Sequence, residues 1–277
     1  TPIKSSAASD VYKRQVLACS MGLNAQLRFS KSERIDISKM NIIYSHSIVD
    51  PVLSTEREEY EIMQIGDKYI KYDDYNRFRV DSVMLSVDST SITFMEHGEI
   101  FNRFLPKSEF LIRDMKSNDI NFYGKVFIDY YIYTEKLPKI DWTLTSESDT
   151  VCGFLCHKAM GRFRGRDWTA WYSEDIPINA GPWKFNGLPG VILRLVDSTG
   201  EHEFEAITIN GLKFPILLTQ SNNRFETNRE EYNKSLTEYK MNPSGSIQGT
   251  ELTPRNADGT EKQLPKRRLF HNPIEKE

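Results

Sequence analysis

Cysteine is nearly missing, with three in 277 residues, and the net charge of -3 is small for a chain in which 27% of residues are charged. So few thiols leave no disulfide framework, and a hydrophobic core has to supply the stability. A near-balanced charge and a pI of about 6.0 give no electrostatic footprint for nucleic acid. Mean hydropathy of -0.53 excludes a chain made of membrane spans. No Gly-x-Ser-x-Gly, His-Glu-x-x-His or P-loop occurs, so no standard nucleophile, zinc or phosphate motif is present. The five histidines are scattered, and His157 beside Cys156 diverges from it on a strand. No metal or cofactor is expected from these residues.

What is present is core-forming material: 39% hydrophobic residues and 12% aromatics. Short alternating runs broken by turn signals every ten or so residues predict a mainly β fold. The expected architecture is a curved antiparallel sheet or two packed sheets, half-barrel or bowl-like, with one or two peripheral helices. Tyr60–Ile65 and Lys68–Tyr72 flank Gly66-Asp67 as a hairpin, and Ser91–Met95 and Glu99–Phe104 flank His97-Gly98 in the same way. Val126–Tyr133 reads as one strand, as do Trp142–Thr145, Val151–Phe163, Val191–Val196 and Glu203–Ile209. Past the turn at Arg164–Asp167, Trp168, Ala170 and Tyr172 share one face, with Thr169, Trp171 and Ser173 on the other.

The clearest helix signal is Thr227-Asn-Arg-Glu230, a capping box followed by Tyr232, Leu236 and Tyr239 on one stripe. Asp73–Met84 is a weaker helix or an irregular turn. Ser244 to about Lys262 is polar and rich in turn residues, which predicts a mobile loop. With no internal repeat and no linker, residues 27–277 read as a single domain. Cys152 and Cys156, about 13 Å apart on an extended strand, are too distant to bridge and are expected as buried free thiols.

Residues 1–26 read as a leader foreign to that domain. Asp10-Val-Tyr-Lys-Arg-Gln15 resembles a translated sequencing-library adaptor, and Val16–Gln26 resembles the end of a signal peptide with cleavage near Ala25. Lipidation at Cys19 and a disordered fusion scar are the alternatives. Without this leader the charge is about -5, because three cations and one anion leave with it. An exported chain is implied.

The most informative stretch is Gly181-Pro-Trp-Lys-Phe-Asn-Gly-Leu-Pro-Gly-Val-Ile-Leu-Arg-Leu195 with Gly165–Tyr172 before it. Pro189-Gly190 fits the centre of a type II turn, Gly taking the positive φ. Gly181-Pro182 and Gly187 allow tight passage beside Trp183 and Phe185. The wording resembles the GLPGLI family, whose six name residues stand here as Gly187, Leu188, Pro189, Gly190, Val191 and Ile192, with Val191 replacing the usual Leu. Tyr133–Pro138, Phe163–Arg166 with Gly165, Asp175-Ile-Pro177, the turn Gln64–Gly66 and the tail Asn272–Glu275 extend the resemblance over most of the chain. It implies an exported protein of a periplasm or outer membrane, with no established reaction. A looser similarity to the bowl-shaped N-terminal accessory module of some bacterial peptide:N-glycanases implies a non-catalytic β module.

All four tryptophans lie between 142 and 183. Trp168, Trp171, Tyr172, Trp183 and Phe185 are therefore candidates for an aromatic concavity, with Arg164 and Arg166 at its side. An aromatic core sandwiched by a second sheet explains the same rings. The ligand class implied is a glycan, an apolar molecule or an outer-membrane protein. The alternative is a hydrolase near Arg164–Asp175, with Asp175, His157 and the two arginines as its groups. Asp-Ser/Thr steps at Ser82, Ser89, Thr150 and Ser198 resemble O-glycosylation sites of envelope proteins, and are equally ordinary turn chemistry.

Overall fold

The computed structural model describes residues 32–86, 94–219 and 224–277, and Ser32–Glu277 form one compact unit. The leader, with Cys19 and Ala25, lies outside the described residues, as does Ser89. The strands are β1 (Ser32–Ile37), β2 (Met40–Asp50), β3 (Thr55–Ile65), β4 (Tyr69–Asp74), β5 (Phe110–Asp114), β6 (Asp119–Val126), β7 (Asp129–Lys136), β8 (Trp142–Val151), β9 (Phe154–Phe163), β10 (Arg166–Ser173), β11 (Val191–Asp197), β12 (His202–Asn210), β13 (Pro215–Thr219) and β14 (Arg224–Glu226). Helices α1 (Tyr75–Ser86), α2 (Phe94–Phe104) and α3 (Arg229–Met241) complete the described elements, with one 3-10 turn at Pro243–Ser246.

The mainly β expectation takes the form of one open sheet of twelve strands, in the order β14-β7-β6-β5-β4-β3-β2-β12-β11-β10-β9-β8, beside a two-stranded β1–β13 sheet. Every pairing in the long sheet is antiparallel except β14 against β7. The sheet's centre is held by the long β2–β3 pairing, which runs without a break from Met40↔Ile65 to Asp50↔Thr55. The main core lies under β9–β12, where Trp168, Phe185, Ile192, Leu195 and Phe204 are all buried. A second cluster of Phe122, Val126, Tyr133 and Tyr232 sits beneath α3.

Helix α3 forms where its stripe predicts: Tyr232 is 2% exposed, and Leu236 and Tyr239 pack on the same cluster. Burying a ring of this size stabilises by about 1.5–3 kcal/mol. Its cap is Asn228 rather than Thr227, since Asn228 Oδ1 accepts from the Glu231 N–H at 2.9 Å while Thr227 Oγ1 reaches the Glu231 side chain at 3.1 Å. The Asp73–Met84 signal resolves into helix α1.

Four local expectations are corrected. Glu99–Phe104 is helical within α2, not the second strand of a hairpin; its spacing of Ile100, Phe101 and Phe104 suits a helix face as well as a strand. Val126–Tyr133 is two strands, because the chain reverses at Phe127-Ile128 and pairs Val126 with Asp129. Residues 244–262 hold a 3-10 turn, a chain of turn hydrogen bonds and a buried Thr253, so this segment is a built loop. Val151–Phe163 is not one strand: the β8–β9 turn at Cys152-Gly153 divides it, so of these two free thiols Cys152 is exposed and Cys156 buried, and burial pushes the Cys156 thiol up to about 11.

Candidate functional site

The β2–β3 register sets one wall of a cavity of about 300 Å³. It pairs His46 with Glu59, and Glu61 follows two residues along on the same face. On the other side of β2, β12 pairs Phe204 with His46, and the two rings stack at 3.7 Å between centroids. His202 completes the group, its Nδ1 lying 3.0 Å from His46 Nε2. The Tyr72 hydroxyl donates to Glu61 Oε2, and the Lys107 ammonium bonds Glu59 and lies 3.4 Å from Glu61 Oε1. Burial alone would raise the Glu61 carboxyl, yet His46, Lys107 and the Tyr72 hydroxyl hold it well below the carboxylate range.

Rings make the opposite wall. Phe122 stacks on Tyr133 at 4.6 Å, Tyr232 stands edge-on to Phe122 at 4.9 Å, and Trp183 meets Phe122 edge-on at 5.8 Å. The C-terminal segment straps the cavity's third side. Arg268 Nη1 bonds Asp50 Oδ2 at 2.6 Å, and Asn272 Nδ2 donates to the Val49 carbonyl at 2.6 Å. Glu275 receives Lys184 Nζ at 2.6 Å and the Trp183 indole N–H at 2.8 Å. Backbone and side-chain donors thus hold the strap to the sheet at several separate points.

The residues expected at a site divide between core and cavity. Trp168, Tyr172 and Phe185 are 1%, 3% and 2% exposed and belong to the main core. Trp171 is half-buried with the Arg194 guanidinium 5.0 Å over its ring. Trp183 is the one member of that set lining the cavity. Arg164 pairs with Glu135 at 3.1 Å and Glu275 at 3.6 Å. Arg166 is buried against Asp197 at 2.5 Å and Glu201 at 2.8 Å, and donates to Asn272 and the Pro273 carbonyl of the strap. Asp175 and Pro177 are exposed on the connection after β10. Gly181, Pro182 and Leu188 are buried, and Pro189 is exposed. The positive φ of the name motif falls on Gly187, at 95°, not on Gly190. Ser82 is on α1 and donates back to the Phe78 carbonyl, while Thr150 and Ser198 are exposed.

Residues 164–194 match the model of the family described as "Protein of unknown function (Porph_ging)". The chain carries the Porph_ging signature. That signature covers β10, the crossing with its buried rings and the start of β11, so it marks the scaffold behind the cavity. No curated protein matches the sequence. Among solved structures the fold resembles PNGF-II in two crystal forms, each with a TM-score of 0.50, at 15% and 16% identity. The match covers 74% and 81% of this chain but only 33% and 39% of those chains, and at such identity it is a likeness of fold.

Sequence reading missed His46, Glu59, Glu61, Lys107 and His202. The available signal was Glu59-Tyr-Glu61 on a strand whose partner carries His46, but it needs the hairpin register to become visible. His202 has a testable consequence. Burial, with His46 and Arg166 nearby, lowers its pKa from 6.5 to about 2, so the folded protein keeps this ring neutral. Below pH 6.5 the unfolded chain binds a proton here that the folded chain does not, so this contribution to stability falls with pH. Denaturant titrations across that range are expected to show wild type losing stability as pH drops, with a shallower loss in His202→Gln. An equal slope in the two proteins would remove His202 as the source.

Proposed function

We propose that this is a binding or accessory module of a Gram-negative cell envelope, taking a small glycan-like ligand in the cavity between β2–β3, α3 and the C-terminal strap. The observation that carries the reading is the pairing of a ring-lined wall with a wall of charged and hydrogen-bonding groups. A sugar offers both an apolar ring face and hydroxyls, so it suits such walls better than a wholly apolar molecule does. Accessory character is supported by the likeness to about a third of the longer PNGF-II chain. Among the described residues no helix is long and apolar enough to cross a membrane.

A hydrolase near Arg164–Asp175 has less support. Both arginines there are taken up by carboxylates of the scaffold, and Asp175 is exposed. His157 packs on Tyr172 at 6.0 Å.

Asn233 on α3 lines the cavity without belonging to a core cluster, so Asn233→Trp is expected to plug the space and leave the fold intact. Titration of neutral oligosaccharides and fatty acids by tryptophan fluorescence is expected to show saccharide binding in wild type. Asn233→Trp is expected to weaken it by about tenfold or more at unchanged melting temperature. Saturable fatty-acid binding alone, or equal saccharide affinity in the plugged variant, would defeat the proposal.

A further inference from the structure

The geometry points to a divalent-metal site of the zinc class at the charged end of the cavity, formed by His46, Glu59 and Glu61. The ligand atoms of these three residues all lie within 4.8 Å of one another. They come from the two central strands of the sheet, where the unbroken β2–β3 register fixes their backbones. One imidazole and two carboxylates are a donor set that zinc accepts, and three protein ligands leave a fourth position open. All three residues line the cavity.

An independent observation singles out His46. Its side chain is 2% exposed, and its Nδ1 makes no hydrogen bond of ordinary geometry, only a longer ion-pair contact to Glu61 Oε2 at 3.4 Å. A buried polar atom left this way is uncommon and asks for a partner. The other ring nitrogen is already engaged, 3.0 Å from His202 Nδ1, and the ring is stacked on Phe204. Metal-binding histidines are typically oriented in this manner, one nitrogen toward the ion and the other on a fixed neighbour. The Tyr72 hydroxyl on Glu61 supplies the matching restraint for a carboxylate ligand.

Lys107 is the competitor. Its ammonium bonds Glu59 and lies near Glu61, so it neutralises the same carboxylates that an ion would. A divalent ion held by two carboxylates and a neutral imidazole is charge-balanced without it. The Lys107 side chain is 34% exposed and the Glu59 side chain 21% exposed, so both can turn while His46 stays fixed. Donors up to 4.8 Å apart must close by up to about 1.4 Å to reach the separations of a tetrahedral zinc with ligand distances of about 2.0–2.2 Å, and Glu59 has the freedom to do so.

Two titrations of the metal-stripped full chain test this, Zn²⁺ by calorimetry and Co²⁺ by visible absorption, neither depending on the larger ligand. One ion per chain is expected in wild type. Glu59→Gln is expected to weaken binding about tenfold and Lys107→Met to tighten it about tenfold, with His46→Gln the most severe loss. The first two variants are at partly exposed positions, so they carry the test if His46→Gln fails to fold. No uptake by wild type at about 100 μM free metal overturns the site. So does equal affinity in wild type, Glu59→Gln and Lys107→Met. Either result leaves the saccharide reading standing, because Asn233→Trp tests that separately.

Discussion

Lys184→Met is expected to lower the free energy of unfolding by about 3–5 kcal/mol. The Lys184 side chain is fully buried, yet it ends in a charge. Its ammonium meets Glu135 at 2.5 Å, Glu275 at 2.6 Å and the Tyr133 hydroxyl at 3.0 Å, within 5.3–5.7 Å of the Phe122, Tyr133 and Trp183 ring centres. Removing the cation leaves two carboxylates facing each other beside the core, with Arg164 and Arg229 at 3.1–4.0 Å as their remaining partners. Methionine restores volume but not charge, so the penalty is the loss of the buried cation that both carboxylates share. Glu275→Gln should cost less, about 1–3 kcal/mol, because Lys184 keeps Glu135. Lys139→Met removes an ion pair whose side chains are both 88% exposed, and should change little. Guanidinium titrations followed by tryptophan fluorescence give all three. A Lys184→Met loss no larger than that of Lys139→Met would mean that the strap is not docked in solution.

The same cluster shows what could and could not be read from the residues. The Gly66-Asp67 hairpin and the Tyr232 stripe were legible because each is local: a turn signal between alternating runs, a cap before a periodic face. The reversal at Phe127-Ile128 was not. It carries neither Gly nor Asn, and Phe127 adopts a φ of 56° that nothing in its side chain announces. The rings of Trp168 and Phe185 were recognisable as a group, but their separation from Trp183 depends on how the crossing folds over β10. The charged wall was the least legible part. His46, Glu59 and Glu61 share one hairpin but His202 comes from a distant strand, and alternating acids on a strand ordinarily describe a solvent face. Only the pairing of β12 and β3 to either side of β2 brings them together.

The name motif itself predicts the other large effect. Gly190→Ala is expected to destabilise by at least about 4 kcal/mol, or to yield no folded protein. The reason is contact rather than dihedral angle: a Cβ on Gly190 would stand 1.9 Å from the Ser173 carbonyl oxygen and 2.4 Å from its carbon. Ser173 ends β10 and pairs with Val191, so neither backbone can retreat without breaking the β10–β11 register. That register seats Ile192 and Leu195 in the main core, and the loss would spread there. Gly187→Ala separates the two causes of intolerance. Its φ of 95° penalises a side chain, but a Cβ there comes no nearer than 3.3 Å to the Trp142 ring and 3.4 Å to the Ile140 carbonyl oxygen, so about 1–3 kcal/mol is expected. Gly249 has a φ of 80° with nothing within 4 Å, and its alanine variant should show backbone strain alone. Thermal melts of the three alanine variants should rank Gly190 far worst. A Gly190→Ala protein as stable as Gly249→Ala would show that β10 does not cross the motif this closely, and the scaffold behind the cavity would have to be redrawn.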